Sequence, residues 1–437
     1  MRVVVRAQDA RAARDAQASL GAAGIEATAL PGPLRPAPDG EDITILAAGG
    51  DVDEFARLCA ASLSASEPPL ARLIGLRSGA PPALGLNNAN PFTGAIALDA
   101  PPKLLAAQVD ACTRVAIAEE ERIRRHATAT QMIAGAPHPL EPRKLKALYI
   151  GAPSAMFLAL ERMFAEHDGL TAAAFSSYAG FDHLHDEPFD AVVLNGAQDS
   201  ATAVSLCAAL RRNASLYHMP TMLVTKPGDT QSANAAIDRG ASAVAEANAP
   251  CGPSLGWLFE AVRRERRRRA AEHDIRALRD LMGDVRTGLF RRDPFDAHLK
   301  RLAADHHTTG RPMALCVLRV LPAHGLSEPE PDIWKRGFTE IASLAGRLMR
   351  DGDAGVTLGD EFIAVAMPAT PLQGAKRTAE RIASVAECTA FASGEGGSGP
   401  LVFEQSAVEL QPGESGGALL NRALRALDAD PMSRTAN

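Results

Sequence analysis

The sequence predicts an α/β protein, with two successive domains on parallel five-stranded sheets and a third α/β domain of different design. Three observations carry that expectation. Strand-like and helical runs alternate from the first residues onward, the rhythm of β-α-β units with helices on both faces of a parallel sheet. A stretch rich in Pro, Gly and Ala interrupts the alternation, and the same rhythm restarts after it. The chain has 437 residues, too many for one ordinary core, and 46% of them are apolar, enough to fill several.

The first domain opens on the β-rich RVVVR and passes into DARAARDAQASLGAAGI, which has helical spacing. DITILAA reads as a strand, EFARLCAASL as a helix, and LARLIGLRS and GAIAL as strands. A long helical run, PPKLLAAQVDACTRVAIAEEERIRRHA, closes a domain expected over residues 1–130. Residues 131–143, most of IAGAPHPLEPRK among them, read as a linker. LKALYIGAPSAMFLALERMFAEHDGL restarts the pattern, and FDAVVLNGA, AVSLCAALRRN, MPTMLVTKP and AIDRGASAVAEA carry it to a closing helix, giving a second domain over 144–270.

Leu255, Leu258, Phe259 and Val262, then Ile275, Leu278, Leu281 and Met282, keep helical spacing on both sides of RRERRRR. One helix is therefore expected to run through, with 271–283 connecting to a third domain over 284–437 and suited to a dimerising stalk. The basic run itself reads as a solvated helix face, because no aromatics interleave it and the net charge of the chain is −6. That charge also argues against a nucleic-acid binder. No apolar run reaches the roughly 20 residues that span a bilayer, and the N-terminus begins at once with a strand-like run, so the expected location is cytoplasmic. The six cysteines stand singly, which predicts free thiols rather than a zinc site or disulfides.

The two repeated domains resemble response-regulator receiver domains, flavodoxin-like folds of five strand–helix repeats. The resemblance implies where phosphorylation chemistry would sit: two acids after the first strand for Mg²⁺, an aspartate ending the third strand, and a lysine before a late proline. In the first domain those places hold Arg6, Ala7, Ala47 and Ala100, with Asp51 the acid that a shifted register brings near. In the second they hold Gly151, Ala152, Asn195 and Ala249. Without clustered carboxylates no hard cation neutralises a phosphoryl group, so neither domain is expected to carry a phosphoacceptor.

The third domain resembles the GGDEF family, the diguanylate cyclases. DVRTGLFRRDPF (Asp284–Phe295) is similar to the motif D-x-L-T-G-L-x-N-R-R-x-F, with Arg286 and Arg291 in place of Leu and Asn. The resemblance implies a strand aspartate and a GG[DE]EF turn holding Mg²⁺ against two GTP molecules. Here the strand ALCVLRVLP has no acid, and Leu318 stands where the metal aspartate belongs. AHGLSEPEPDIWKRG lacks the family's guanine-reading Asn and Asp, and the turn reads Leu358-Gly359-Asp360-Glu361-Phe362. RALRALD, Arg422–Asp428, lacks the Asp and Tyr of the family's R-A-D-x-A-L-Y. With these losses no catalytic residue and no metal are assigned.

Cyclases inhibited by their product carry an Arg-x-x-Asp upstream of the turn, and a second arginine on the following helix. Arg350, Asp353 and, in TAERIAS, Arg381 match those places. An arginine fork suits guanine O6 and N7 or the phosphodiesters, and an aspartate accepts from the N1–H and N2–H edge. The resemblance thus implies a cyclic di-GMP-binding pseudo-enzyme acting as a homodimeric scaffold, without Mg²⁺. It also implies control of cellular position at a cell pole, without membrane insertion, and recruitment of partners for regulated proteolysis in the cell cycle. A residual diguanylate cyclase and a ligand-free dimeric scaffold are the alternatives.

Overall fold

The computed structural model describes residues 2–7, 9–31, 43–47, 71–82, 92–132, 143–323, 330–393 and 401–429. They fall into two compact units, Met1–Ala116 with Glu141–Ala270, and Ile117–Leu140 with Ala271–Asn437. The helix expected at EFARLCAASL, with Asp51 and Cys59, lies outside the described residues, as do 133–142 of the expected linker. The other five cysteines are free thiols. No described helix is long and apolar enough to cross a membrane.

The first unit holds two parallel sheets. In the first sheet, β1 (Val3–Ala7), β2 (Ala27–Pro31), β3 (Ile43–Ala47), β4 (Ala71–Leu76) and β5 (Gly94–Ala97) are ordered β2-β1-β3-β4-β5. Helices α1 (Ala10–Ala22) and the long α2 (Pro102–Met132) accompany it. The second sheet comprises β6 (Lys146–Ile150), β7 (Leu170–Ala174), β8 (Ala191–Asn195), β9 (Thr221–Thr225) and β10 (Ala243–Glu246), in the order β10-β9-β8-β6-β7. Both orders are the doubly wound second-first-third-fourth-fifth arrangement. All five residues of β1 and β3 are buried, which is why those strands read as continuous apolar runs rather than alternating ones.

Helices α3 (Ala155–Glu166), α4 (Ser177–Asp186), α5 (Ser200–Arg212) and α6 (Thr230–Asp238) accompany the second sheet. Acidic or hydroxyl caps start several of the helices: Asp9 accepts from Ala12 N–H, Ser176 from Ala179, Asp199 from Thr202 and Asp229 from Ser232. The expected continuous helix is α7, Cys251–Met282.

The reading of RRERRRR as a solvated face does not hold. Arg263 and Arg264 are buried beside the edge strand β5. Glu260 accepts from Ala95 N–H at 2.9 Å, Arg264 donates to Ala95 O at 2.8 Å, and Arg263 donates to Thr93 O at 2.7 Å. Side chains of α7 thereby complete the hydrogen bonding that an edge strand leaves open. A Cβ on Gly94 would stand 2.8 Å from Cys112 Sγ and 2.9 Å from Glu260 Oε1, so only glycine lets the strand approach this closely.

In the second unit the sheet is antiparallel, ordered β12-β13-β11-β14, with β11 at Ala314–Pro322, β12 at Ala354–Leu358, β13 at Phe362–Met367 and β14 at Leu401–Glu409. Side chains alternate across it. Cys316, Leu318, Ile363 and Val365 pack with Phe338 and Ile341 of α9 (Pro331–Leu348), Ile382 of α10 (Leu372–Glu387) and Phe391 of the short α11 (Ala390–Ser393). Leu315, Val317, Ala364 and Ala366 pack on the opposite face. There they meet Phe295, Leu299 and Leu302 of α8 (Arg292–Thr309), Leu419 and Ala423 of α12 (Gly416–Ala429), and Leu278 and Met282 of α7. The ends of α2 and α7 in this unit meet through Ala118, Ala271 and Ile275.

Candidate functional site

The Arg-x-x-Asp segment links α9 to β12 and closes on itself. Arg350 N–H donates to Asp353 Oδ2 at 2.9 Å, and Asp353 N–H donates to Arg350 O at 3.0 Å. Asp353 is 5% exposed. Burial pushes its carboxyl up to about 6, against the opposing pull of the Arg350 N–H and of the Arg350 and Arg125 charges. The Arg350 side chain is exposed and has no hydrogen bond or ion pair among the described residues. Arg381, on α10, donates to Leu348 O at 2.9 Å and so lies at the same turn. The three sequence-predicted residues are brought together, but Asp353 is occupied in shaping the turn.

Two further arginines hold this segment, and the sequence reading missed both. Arg276 pairs with Asp351 at 2.7 Å. Arg125, fully buried, donates through Nη2 to Asp353 O at 2.9 Å and through Nη1 to Ile275 O at 3.1 Å. Its guanidinium also lies 5.2 Å from the centre of the Phe290 ring.

Arg125 is fixed in turn by Glu121, whose Oε1 accepts from Arg125 Nε at 2.8 Å. Arg124 Nη1 at 2.8 Å and His298 Nε2 at 3.0 Å complete the contacts of that buried carboxylate. Burial alone would raise its pKa, but His298, Arg125 and Arg124 together overcome it and hold Glu121 well below the ordinary carboxylate range. The sequence signal was available in the spacing of Glu120 and Glu121 to Arg124 and Arg125, the i,i+4 pairs of a helix.

The GDEF segment is a hairpin turn between paired Leu358 and Phe362, with Gly359 at φ 65°. Asp360 and Glu361 are exposed. Trp334 Nε1 donates to Asp360 O at 2.8 Å, and Val320 N–H donates to Glu361 O at 2.8 Å. Leu318 is 3% exposed and packs in the core. Arg319, its neighbour, lies over the Phe362 ring at 5.3 Å and within 4.0 Å of Glu361. Among the described residues no three His, Cys, Asp or Glu side chains are grouped to hold a metal. Residues 324–329, within the segment expected to read guanine, lie outside the described residues.

At the ends of the first-unit strands, Arg6 is buried, and Gly151 has φ 126° with Asn195 beside it. Asn195 Nδ2 donates to Ala152 O at 2.8 Å, and the Tyr149 hydroxyl donates to the same oxygen at 2.8 Å. The loop after β6 is thus tied down by neutral groups.

No protein-family model matches the sequence, and no curated protein matches it. Among solved structures it is similar to the GGDEF domain of DgcB from Caulobacter crescentus, in complex with c-di-GMP, at 23% identity over 34% of this chain and 87% of that one, with a TM-score of 0.28. The FimX GGDEF domain from Pseudomonas aeruginosa matches at 18% identity over 34% of this chain and 92% of that one, TM-score 0.29. A putative response regulator from Chloroflexus aurantiacus J-10-fl matches at 14% identity over 28% of this chain and 98% of that one, TM-score 0.26. Scores and identities this low do not place the chain in a family.

Proposed function

We propose that this protein is a cyclic di-GMP-binding effector built from two receiver-like domains and a GGDEF-like domain that has lost cyclase activity. The observation that carries the proposal is the bond from Arg381 to the Leu348 carbonyl, which sets a second guanidinium beside the turn of Arg350 and Asp353. Two arginines beside one surface turn suit a ligand with two phosphodiesters and two guanine faces. Arg350 and Arg381 are its contacts, and Asp353 presents Arg350 and offers its carboxylate to a guanine edge.

Loss of the cyclase reaction is supported by Leu318 and Leu358, an apolar side chain at the metal aspartate's place and a Cβ at the first glycine of the turn. The three-part layout resembles that of the cyclase PleD and of its paralogue PopA, an effector rather than a cyclase. By that resemblance the protein is a dimer whose ligand state controls cellular position, including a pole, and the partners it gathers for regulated proteolysis. The receiver-like domains serve as docking and dimerisation surfaces, a role needing the fold but no phosphoacceptor.

Calorimetry with cyclic di-GMP on the wild type, Arg350→Ala and Arg381→Ala tests the reading. Saturable heat in the wild type, reduced at least about tenfold in affinity by either substitution, is expected for a charge-assisted contact. Equal binding by all three, or by none, leaves a ligand-free scaffold. Incubation with GTP and Mg²⁺ is expected to yield no cyclic di-GMP, and clear turnover restores the cyclase reading.

A further inference from the structure

A cavity of about 290 Å³ opens in the first unit between α2, α7 and the loops leading into β9 and β10. Four guanidinium groups line it, those of Arg114, Arg211, Arg264 and Arg268, against two carboxylates, Asp110 and Glu265. The formal excess is two positive charges.

Glu260 is shared by Arg263 and Arg264, and Glu265 by Arg268 and Arg269. Arg211 is half-buried, and its hydrogen bonds run to neutral oxygens: Gly240 O at 3.1 Å and 2.6 Å, Tyr217 O at 2.8 Å, Met219 O at 2.9 Å and Thr221 Oγ1 at 3.5 Å. A cation withdrawn from water without an anion beside it is costly. Arg114 is exposed at the cavity and has no hydrogen bond or ion pair among the described residues. His218 at the rim reports the same field, for burial first and then Arg268, Arg114 and Arg211 lower its pKa despite Glu265.

The remaining walls include Leu104, Ala107 and Ala111 of α2, an apolar surface suited to the carbon body of a ligand. The volume lies at the low end of the range of about 300–1,000 Å³ typical of small-molecule sites. That is small for a dinucleotide, and a chain of net charge −6 is no general polyanion binder.

We propose that this cavity is a binding site for a small phosphate monoester, a dianion held by the guanidinium groups of Arg114, Arg264 and Arg268 over the apolar face of α2. It is separate in sequence and chemistry from the cyclic di-GMP reading of Arg350, and neither depends on the other.

Titration calorimetry on the full chain, with adenosine 5′-monophosphate as probe and adenosine as the uncharged control, tests the proposal. Inorganic phosphate serves as the minimal dianion. Saturable binding of the monophosphate and of phosphate is expected, with none for adenosine, and Arg114→Glu should weaken it by about tenfold or more. Arg114 is exposed, so that substitution leaves the fold intact, and circular dichroism confirms this. Arg350→Ala should leave the phosphate heats unchanged. Absence of binding by both anions, equal binding of adenosine, or undiminished binding in folded Arg114→Glu overturns the proposal.

Discussion

Arg125 donates to the backbone carbonyl of Asp353 across 2.9 Å, although 228 positions separate them in the sequence. The bond joins α2 to the turn that presents Arg350, and Glu121 holds the arginine in place. One buried carboxylate and one buried guanidinium therefore set the geometry of the candidate ligand site from behind.

Removing either partner leaves the other charged and dry. Glu121→Ala is expected to destabilise the C-terminal unit by about 3–5 kcal/mol, the usual cost of breaking a buried pair. Chemical denaturation followed by hydrogen exchange within 271–429 measures it. A loss below about 1 kcal/mol, the scale of an exposed pair, would show that the network contributes only as a surface one does.

Asp353 and His306 impose opposite pH dependences. The folded state holds Asp353's proton up to about 6, above its ordinary value of 3.8, so its stabilising contribution is complete below that ordinary value and is lost as pH rises towards 6. The amount is on the order of 3 kcal/mol. Asp353→Asn keeps an oxygen for Arg350 N–H and removes this slope. Stability measured from pH 4 to 6 should then climb with pH relative to wild type, and an unchanged profile argues against a protonated Asp353.

His306 runs the other way. Its Nε2 accepts from Ala369 N–H at 3.1 Å while Nδ1 bonds Leu302 O at 2.8 Å, the pattern of a neutral ring. Burial first, with Arg124 and Arg311 nearby, lowers its pKa to about 4 from 6.5. Its contribution is whole above 6.5 and is lost as pH falls towards 4. His306→Gln should therefore remove the acid-side loss, tilting the profile opposite to Asp353→Asn. Parallel shifts in the two variants contradict the assignment.

If Asp353 accepts from a guanine edge, only the ionised carboxylate does so. Affinity for cyclic di-GMP should rise as pH passes upward through about 6, and Asp353→Asn should flatten that rise. Calorimetry at pH 5 and pH 7.5 distinguishes this from a purely turn-shaping aspartate, for which both proteins show the same pH dependence.

Leu358→Gly restores the first glycine of the turn but neither an acid at Leu318 nor a guanine reader. No cyclic di-GMP is expected from this variant with GTP and Mg²⁺, because one turn acid does not hold two triphosphates in line. Turnover in the variant alone would return the protein to the cyclases.

The sequence by itself determined buried strands such as β1, β3, β6 and β8, the long α7 and the proximity of Arg350 to Asp353. Continuous apolar runs mark strands buried on both faces, and a turn of four residues is local. Only the tertiary structure decided what the charged residues do. RRERRRR has the composition of a solvated face, yet Arg263 and Arg264 are buried because the open edge of β5 supplies carbonyls that water would otherwise satisfy. Arg125 sits in an unremarkable run of helical charges, and its acceptor comes from a turn far along the chain. Periodicity reports which face of an element is apolar. It carries no record of which distant backbone group a buried guanidinium will meet, and at this site that meeting positions the turn.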